Sequence, residues 1–330
     1  MAELGKIKLI TIGDLERKLG SRKFPQFVEE CEQGFRSQVS EIAKYVLAHH
    51  EISFVFLSGP TSSGKTTFST HFTKSLNESG RRTHLISMDD YYSLGVPRYD
   101  QEGRPDYESI DTLDLDMLHD DLKALESMHE VNIPTFDFKT RARFFEESKI
   151  IRPRPGDTYM IEGLHGLADE LRHNLIKERS VGIFIMPYAS LLADNRILDH
   201  NDMRVLRRLS RDVFHRGATA LSTIDYWPMI AKAENEFVPG YLEAADFYVN
   251  SALEYEYSVI VPKAREQLKI SINQYMEGEL PPSNNVKEGV FYADLNTAIK
   301  SAKRLIRACN KIPRVDPIVV PKDSILQEFI

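Results

Sequence analysis

Short apolar runs recur along this chain, and stretches with helical periodicity separate them. Five runs have the length and residue types of buried strands, at residues 52–57, 83–87, 158–161, 181–186 and 247–250. Strands that alternate with helices in this way form a mostly parallel sheet with helices on both faces. The pattern therefore predicts an α/β fold, in which ligands gather beyond the carboxyl ends of the strands.

Helical patterns surround these strands. Residues 24–49 are amphipathic, and apolar residues between the second and third strands recur at the spacing of a core-facing helix: Ile110, Leu113, Leu118, Leu122 and Leu125. The apolar tail at 319–330 is expected to dock on the body in an extended form. We divide the chain into an N-terminal helical extension (1–50), a central domain (51–262), and a C-terminal helical extension with its docking tail (263–330).

The run GPTSSGKTT, residues 59–67, joins the first predicted strand to the next helix. It fits the P-loop pattern G-x-x-x-x-G-K-[ST] in the strand–turn–helix context that this pattern requires. Gly59 and Gly64 let backbone N–H groups turn toward phosphate oxygens at the positive end of the helix. Lys65 is expected to reach the β- and γ-phosphates, and the Thr66 hydroxyl to coordinate magnesium. A glycine-rich turn with an exposed lysine is the alternative.

Acidic residues follow two more of the predicted strands. Asp89 and Asp90 come directly after the strand at 83–87, and Glu162 follows the strand at 158–161. A carboxylate at this edge of the sheet can accept the proton of an attacking hydroxyl or hold magnesium. We favour Asp89 over Asp90, with a helix cap or a turn as the alternative. Glu162 is expected to bind magnesium directly or through water.

A basic segment occupies residues 200–220. Its helical spacing separates a packed side, Leu206, Leu209 and Val213, from a side with three arginines, Arg204, Arg208 and Arg211. Surface arginines are usually solvated. We interpret this cluster, which ends at Arg216 and Gly217, as a hinged lid that closes over a transferring phosphoryl group and neutralises its charge.

Composition limits the partners of the protein. The chain has 330 residues and a formal net charge of −7, whereas general nucleic-acid binding depends on clustered positive charge. Cys31 and Cys309 lack zinc or CxxC spacing and are expected to be reduced thiols. Neither a signal-peptide pattern nor a membrane-spanning run is present. We expect a cytoplasmic protein with no membrane partner and no stable nucleic-acid partner.

These motifs resemble those of the phosphoribulokinase and uridine kinase family of P-loop kinases. Besides the P-loop, five segments follow in the family's order: SMDDYY (87–92), RPDYESID (104–111), PTFDFKTRAR (134–143), IEGLHGL (161–167) and RRLSRDVFHRG (207–217). The likeness is greatest to a bacterial uridine kinase-like, or nucleoside kinase, branch with a C-terminal SILREFI segment, which reads SILQEFI at 324–330 here. The stretch before the kinase motifs is too short for that branch's N-terminal TGS-type module.

The resemblance implies a P-loop NTPase-type fold with an arginine-bearing lid, and a role for each matched residue. The donor, ATP or GTP, would be bound by Gly59, Ser62, Ser63, Gly64, Lys65, Thr66, Thr67 and Arg216. Asp89 would be the general base and a magnesium contact, with Thr66 and Glu162 completing the metal environment. Catalysis would also use Lys65, Arg208 and Arg211. The acceptor pocket would be lined by Asp89, Tyr92, Asp106, Phe136, Phe138, Arg141 and Arg143, of which Asp106 would hold ribose hydroxyls.

The departures from the family concern the acceptor. Pyrimidine nucleoside kinases typically show YDF-x-x-H-x-R, whereas Phe136 replaces the tyrosine here and Arg141 the histidine; Ala218 replaces a frequent lid arginine. We predict an ATP- and magnesium-dependent kinase of a small-molecule hydroxyl, in the first place the 5′-hydroxyl of a pyrimidine nucleoside. An arginine suits an anionic acceptor equally well, so a sugar, sugar phosphate or other polyol is the alternative.

A hypothesis of another class is a nucleotide-dependent regulator associated with RNA. Guanine-reading switches need an NKxD motif, and the nearest run, NKIP at 310–313, lacks the aspartate. The acidic net charge also disfavours RNA binding. Self-association through the helical extensions is a further expectation, with completion of the core as its alternative.

Overall fold

The computed structural model describes residues 7–138, 140–172, 179–193 and 195–330. Its helices are α1 (Ile12–Lys18), α2 (Lys23–Ala48), α3 (Lys65–Glu78), α4 (Leu115–Glu126), α5 (Asp169–Arg172), α6 (His200–Arg216), α7 (Ala220–Ala244), α8 (Glu256–Glu277) and α9 (Leu295–Cys309). Its strands are β1 (Lys8–Thr11), β2 (Phe54–Ser58), β3 (Thr83–Ser87), β4 (Val131–Asp137), β5 (Ala142–Ile151), β6 (Thr158–Gly163), β7 (Ser180–Met186), β8 (Ala189–Leu192), β9 (Arg196–Leu198) and β10 (Phe247–Asn250).

Five parallel strands form the central sheet, in the order β10-β7-β2-β6-β3. The five apolar runs of the sequence supply these strands, which confirms the predicted α/β fold. In the register of the sheet, Glu162 of β6 lies between Leu57 of β2 and Ser87 of β3. The chain leaves β2 into the P-loop and β3 into Asp89, so the three predicted phosphate-chemistry segments meet at one edge of the sheet.

Hydrophobic clusters cover both faces of the sheet. Side chains alternate along a strand, so Val55 and Leu57 pack on one face and Phe54 and Phe56 on the other. The first cluster also holds apolar residues of α2, α3 and the C-terminal tail (residues 319–330). The second includes residues of α4, α5 and α7. Both the early amphipathic helix and the tail therefore complete the core that supports the P-loop.

A third cluster joins α6, α7, α8 and α9 beside the sheet. A small second sheet, in the order β1-β8-β9, adjoins it, and β1 pairs with β8 in parallel. The sequence patterns did not indicate β1, β8 or β9, nor the antiparallel hairpin of β4 and β5. Three of these strands are four residues or shorter, and Pro134 interrupts the pattern of β4, so their strand signal is weak.

Two predicted elements differ in detail. The helix expected from Ile110 onward begins only at Leu115, because the Asp114 side chain accepts the backbone N–H of Met117 and caps it there. The tail is not fully extended: residues Ile325–Phe329 form a 3-10 turn that starts at Ser324. In the described residues, no helix has the length and apolarity needed to cross a membrane.

Candidate active site

Close packing fixes the two glycines at the ends of the P-loop. A Cβ on Gly59 would lie 2.3 Å from the carbonyl oxygen of Ile185 in β7. Gly64 has a φ of +86° and leads directly into α3, and a Cβ there would lie 1.9 Å from the Ile325 side chain of the tail. Larger residues would therefore displace the loop from the sheet or from the tail.

Buried polar groups hold the outer side of the loop. Three consecutive carbonyl oxygens of the loop accept hydrogen bonds from side chains. Arg204 donates to that of Thr61 at 3.1 Å, Arg207 to that of Ser62 at 3.2 Å, and the Ser251 hydroxyl to that of Ser63 at 2.5 Å. The hydroxyl groups of Ser62 and Ser63 are buried without a hydrogen-bond partner in the described chain. Unpartnered buried donors are costly, and phosphate oxygens would satisfy them.

The strongest of these supports is a residue to which the sequence analysis gave no role. Arg207 is fully buried, and it donates to both carboxylate oxygens of Glu256 at 2.6 and 2.9 Å. Its remaining donors reach the carbonyl oxygens of Ser62 and Ser251. The helical pattern gave Arg207 no position of its own, and nothing in the sequence pointed to Glu256 as its partner.

Lys65, Asp89 and Glu162 converge at the inner side of the loop. The Lys65 ammonium donates to the carbonyl oxygens of Gly59 and Pro60, at 2.8 and 3.2 Å. Burial lowers the pKa of Lys65, and the charges of Glu162 and Asp89 oppose that shift. Loss of water raises the pKa of Glu162 to about 7, although Lys65 acts against this. Three charged groups spread over almost 100 residues of the sequence thus lie close enough to shift one another's pKa values.

The two neighbouring aspartates point in different directions. Asp89 opens into the cleft, where the surrounding protein displaces water and raises its pKa, while the charge of Lys65 opposes the shift. Asp90 instead accepts the backbone N–H of Phe136 at 3.1 Å and the Lys149 ammonium at 2.7 Å, so both of its oxygens bind the β4–β5 hairpin. Of the two aspartates, Asp90 is therefore held by the hairpin, whereas Asp89 faces the charged groups of the cleft, Lys65 and Arg211.

Magnesium fits the chemistry of this donor set. Asp89 and Glu162 supply carboxylate oxygens, and both have pKa values raised by lost hydration, a cost that a divalent cation would relieve. Thr66 adds an exposed hydroxyl at the start of α3. Within the described residues, no three metal-binding side chains form a cage. A magnesium ion held by few protein oxygens and by substrate phosphates would need no cage.

The arginines of α6 reach across the mouth of the loop. Arg208 and Arg211 donate to the Thr61 hydroxyl at 2.8 and 3.4 Å, which brings both beside the P-loop as the sequence suggested. Burial lowers the pKa of Arg211 to about 10, so it stays positive near neutral pH. Arg216 is more exposed and lies 3.3 Å from Asp212. The helix itself packs against α7 and α8, so the segment expected as a hinged lid is part of the body here.

Glu108 is a further charged residue of the cleft that the sequence analysis did not select. Its carboxylate lies 3.5 Å from the Arg208 guanidinium, and burial raises its pKa although Arg208 opposes the shift. The His165 Nε2 contacts the Glu108 carbonyl oxygen at 2.9 Å and so fixes the backbone. A carboxylate two residues after Asp106, within the RPDYESID segment, was the only available signal.

The three aromatic residues expected to line the acceptor pocket lie together, and the charge of Asp89 acts on one of them, Tyr92. Tyr92 and Phe136 have ring centroids 5.6 Å apart, and Phe138 lies 5.2 Å from each of them. The Tyr92 hydroxyl donates to the Tyr107 carbonyl oxygen at 2.9 Å, which fixes the ring. The three predicted aromatic residues are therefore brought together into one surface.

Arg141 and Asp106, which were also expected to line the acceptor pocket, both make hydrogen bonds to the backbone. Arg141 donates to the Gly95 carbonyl oxygen at 2.8 Å, and its guanidinium lies over the rings of Tyr107 and Phe136. One Asp106 oxygen accepts the backbone N–H groups of Glu108 and Ser109. These two residues still border a small cavity of about 110 Å³.

Arg143 was also expected to line the acceptor pocket, but its guanidinium is bound elsewhere. Its guanidinium is 2.8 Å from Asp114 and 2.9 Å from the Tyr92 carbonyl oxygen, with the Met117 sulfur 3.0 Å away. It therefore joins the hairpin to the start of α4. Arg143 lies within β5 and pairs with Phe136, whereas Arg141 precedes the strand with a φ of +51°, so the two side chains follow different backbone courses.

The chain is similar in sequence to a family of known proteins. The model of the Phosphoribulokinase / Uridine kinase family matches residues 54–256. The uridine kinase of Staphylococcus haemolyticus is 26% identical over 199 residues, which cover 60% of this chain and 86% of that protein. The uridine kinase of Lactobacillus helveticus is 27% identical over 221 residues, covering 66% and 94%. A solved possible uridine kinase from Bacillus stearothermophilus is 19% identical, with a TM-score of 0.43, covering 64% of this chain and 97% of its own.

The fold and the P-loop define a nucleotide-binding protein, and the family match over residues 54–256 identifies it as a kinase. The chain belongs to the phosphoribulokinase and uridine kinase family. It is therefore a phosphotransferase with a hydroxyl acceptor and a nucleotide phosphate donor.

Proposed function

We propose that the protein is an ATP- and magnesium-dependent nucleoside kinase, which transfers the γ-phosphate to the 5′-hydroxyl of a pyrimidine nucleoside. The observation that carries this proposal is the position of Asp89 between the phosphate loop and the aromatic surface of Tyr92, Phe136 and Phe138. A flat base would stack on those rings while its ribose hydroxyl faces Asp89. The uridine kinases among its relatives favour the same acceptor class.

Each residue of the site has its own role in the proposed phosphoryl transfer. Lys65 and the P-loop bind the donor phosphates, and Asp89 accepts the proton of the attacking hydroxyl. The hydroxyl oxygen forms a bond to the γ-phosphorus, and the bond to the bridging oxygen breaks with its electron pair leaving on ADP. Arg208 and Arg211 stabilise the charge on the transferring group, in a cleft where few waters compete. Magnesium, held by Thr66, Asp89 and Glu162, would neutralise phosphate charge.

A sugar or another polyol is the second candidate, and the carboxylates of Glu108 and Asp106 are compatible with it. Carboxylates such as Glu108 and Asp106 accept hydrogen bonds from ring hydroxyls as readily as from ribose. We expect a phosphorylated acceptor to bind less tightly than a neutral one. Arg143 is already paired with Asp114, and Arg141 contacts ring faces and a carbonyl oxygen. The acceptor side therefore suits a neutral hydroxyl compound better than an anion.

An acceptor panel tests the proposal. The purified protein is incubated with magnesium and ATP and with single nucleosides, sugars or sugar phosphates, while ADP release and product mass are measured. We expect uridine or cytidine to gain one phosphoryl group, at a kcat/KM at least about tenfold above every sugar. Turnover of a sugar or sugar phosphate with silence on all nucleosides would contradict the proposed acceptor and keep the kinase chemistry.

A further inference from the structure

The last residues of the chain contact the phosphate loop. The Ile325 side chain fills the space beside Gly64, where a Cβ would lie 1.9 Å from its Cδ1 atom. On the first turn of α3, Thr67 donates its hydroxyl to the Glu328 carboxylate at 2.8 Å. Two of the last six residues thus reach the segment that would hold the donor. The kinase reaction described above gives neither of them a role.

The tail is held firmly in this position. The side chains of Ile325, Leu326 and Phe329 are fully buried in the core. Phe329 packs under the Arg207 guanidinium, with the cation 5.3 Å from the ring centroid. The Ser324 hydroxyl lies 3.2 Å from that of Tyr255, which is itself buried. Burial of three large apolar side chains makes release of the tail unfavourable, so it is a permanent wall and not a loose strap.

Glu328 places a negative charge beside a loop whose ligand is also negative. Its charge acts on Glu162 and on Arg211, two charged groups of the cleft beside the P-loop. Thr67 has one hydroxyl proton, and it gives that proton to Glu328. The hydroxyl therefore presents lone pairs to its other neighbours, and an ionised phosphate oxygen cannot donate to them. The carboxylate opposes donor binding through its charge and through this hydrogen bond.

We propose that the C-terminal tail is a wall of the donor site and that Glu328 is a positioning residue, which weakens donor binding by holding the Thr67 hydroxyl. This inference rests on the proposed function only in taking the P-loop as the site of a nucleotide. Its benefit for turnover is a faster release of ADP, a step that limits many enzymes of this type. Glu328 accordingly sets donor affinity and leaves acceptor affinity unchanged.

Calorimetric titration with ATP and magnesium, without any acceptor, tests this role. Glu328→Gln keeps the size of the side chain and removes its charge. We expect the Kd of this variant for ATP to be about threefold to tenfold lower than that of the wild type, and the difference to shrink at high salt. Asp323→Asn is the matched control. It removes a tail carboxylate that is 61% exposed and 4.0 Å from Arg36, and its Kd is expected to equal that of the wild type.

A double-mutant cycle with Thr67→Val identifies the route of the effect. In the Thr67→Val background, Glu328→Gln is expected to change the Kd by a smaller factor than in the wild type, because the hydroxyl through which it acts is gone. Equal or weaker ATP binding in Glu328→Gln, with normal binding in the wild type, would overturn the inference alone. A wild-type protein that binds no nucleotide would overturn the proposed function and the inference with it.

Discussion

The donor side and the acceptor side of the cleft are built in different ways. On the donor side, buried groups bind the backbone of the P-loop, and the fully buried pair of Arg207 and Glu256 anchors them. On the acceptor side, Phe138 is 57% exposed, and the contacts of Arg141 are a carbonyl oxygen and two ring faces. We infer from this contrast that, in the proposed reaction, packing fixes the groups that bind phosphate, whereas side chains at an open rim select the acceptor.

The largest effect on stability is expected where the donor side is anchored. Glu256→Ala leaves the Arg207 guanidinium buried without its partner, and we expect the free energy of unfolding to fall by about 3–5 kcal/mol. The exposed pair of Arg314 and Glu266, at 2.8 Å, provides the control. Glu266→Ala is expected to cost less than about 1 kcal/mol. Denaturant titration measures the free energy of unfolding of both variants. Equal losses would contradict the claim that the pair of Arg207 and Glu256 anchors the donor side.

A smaller effect is expected at Glu162, and it depends on pH. Its pKa is raised from 4.5 to about 7 in the folded protein, so the folded state binds the proton more tightly than the unfolded state. The stability that this provides is present below pH 4.5 and is lost as the pH rises through about 7. Glu162→Gln avoids that loss, and we expect it to gain about 1–3 kcal/mol over the wild type between these pH values.

Thermal unfolding at a series of pH values, without nucleotide or magnesium, measures this difference. Glu147→Gln on β5 provides a matched control, because it makes the same substitution at an exposed carboxylate. A Tm difference between Glu162→Gln and the wild type that does not grow from pH 4.5 to pH 8 would contradict the raised pKa of Glu162.

The smallest effect is expected at the rim of the acceptor side. Arg141→Ala removes a cation that borders the small cavity, and we expect the KM for the acceptor to rise by about threefold to tenfold with the KM for ATP unchanged. Arg98→Ala is the control, since Arg98 borders the same cavity but is 81% exposed and paired with Asp111. Steady-state kinetics with each substrate varied separates the two. A rise in the KM for ATP instead would place Arg141 on the donor side.

The sequence predicted most of what lies at the edge of the central sheet. Apolar runs located its five strands, and the motifs that follow three of them located Lys65, Asp89 and Glu162. This success has a physical reason: the carboxyl ends of parallel strands meet at one edge, so local patterns suffice to bring distant residues together.

Contacts that depend on tertiary packing were not accessible in this way. Periodicity showed that α6 has a packed side, but not that Arg207 on it would meet Glu256 on α8. The partners of Arg143 were also missed, because the hairpin that directs it toward Asp114 has a weak strand signal. The tail was expected to dock, yet its contact with Thr67 joins residues 261 positions apart in the chain. Such pairs become visible only when the fold is known.

The most direct test of the account compares the two adjacent aspartates under saturating ATP, magnesium and the best acceptor of the panel. Asp89→Asn is expected to lower kcat by about 10²–10⁴-fold, with the Kd for ATP changed by less than about twofold, because it removes the base and spares the P-loop. Asp90→Asn, whose carboxylate binds the β4–β5 hairpin, is expected to keep kcat within about tenfold of the wild type. Near-normal turnover in Asp89→Asn would contradict the assignment of Asp89 as the base.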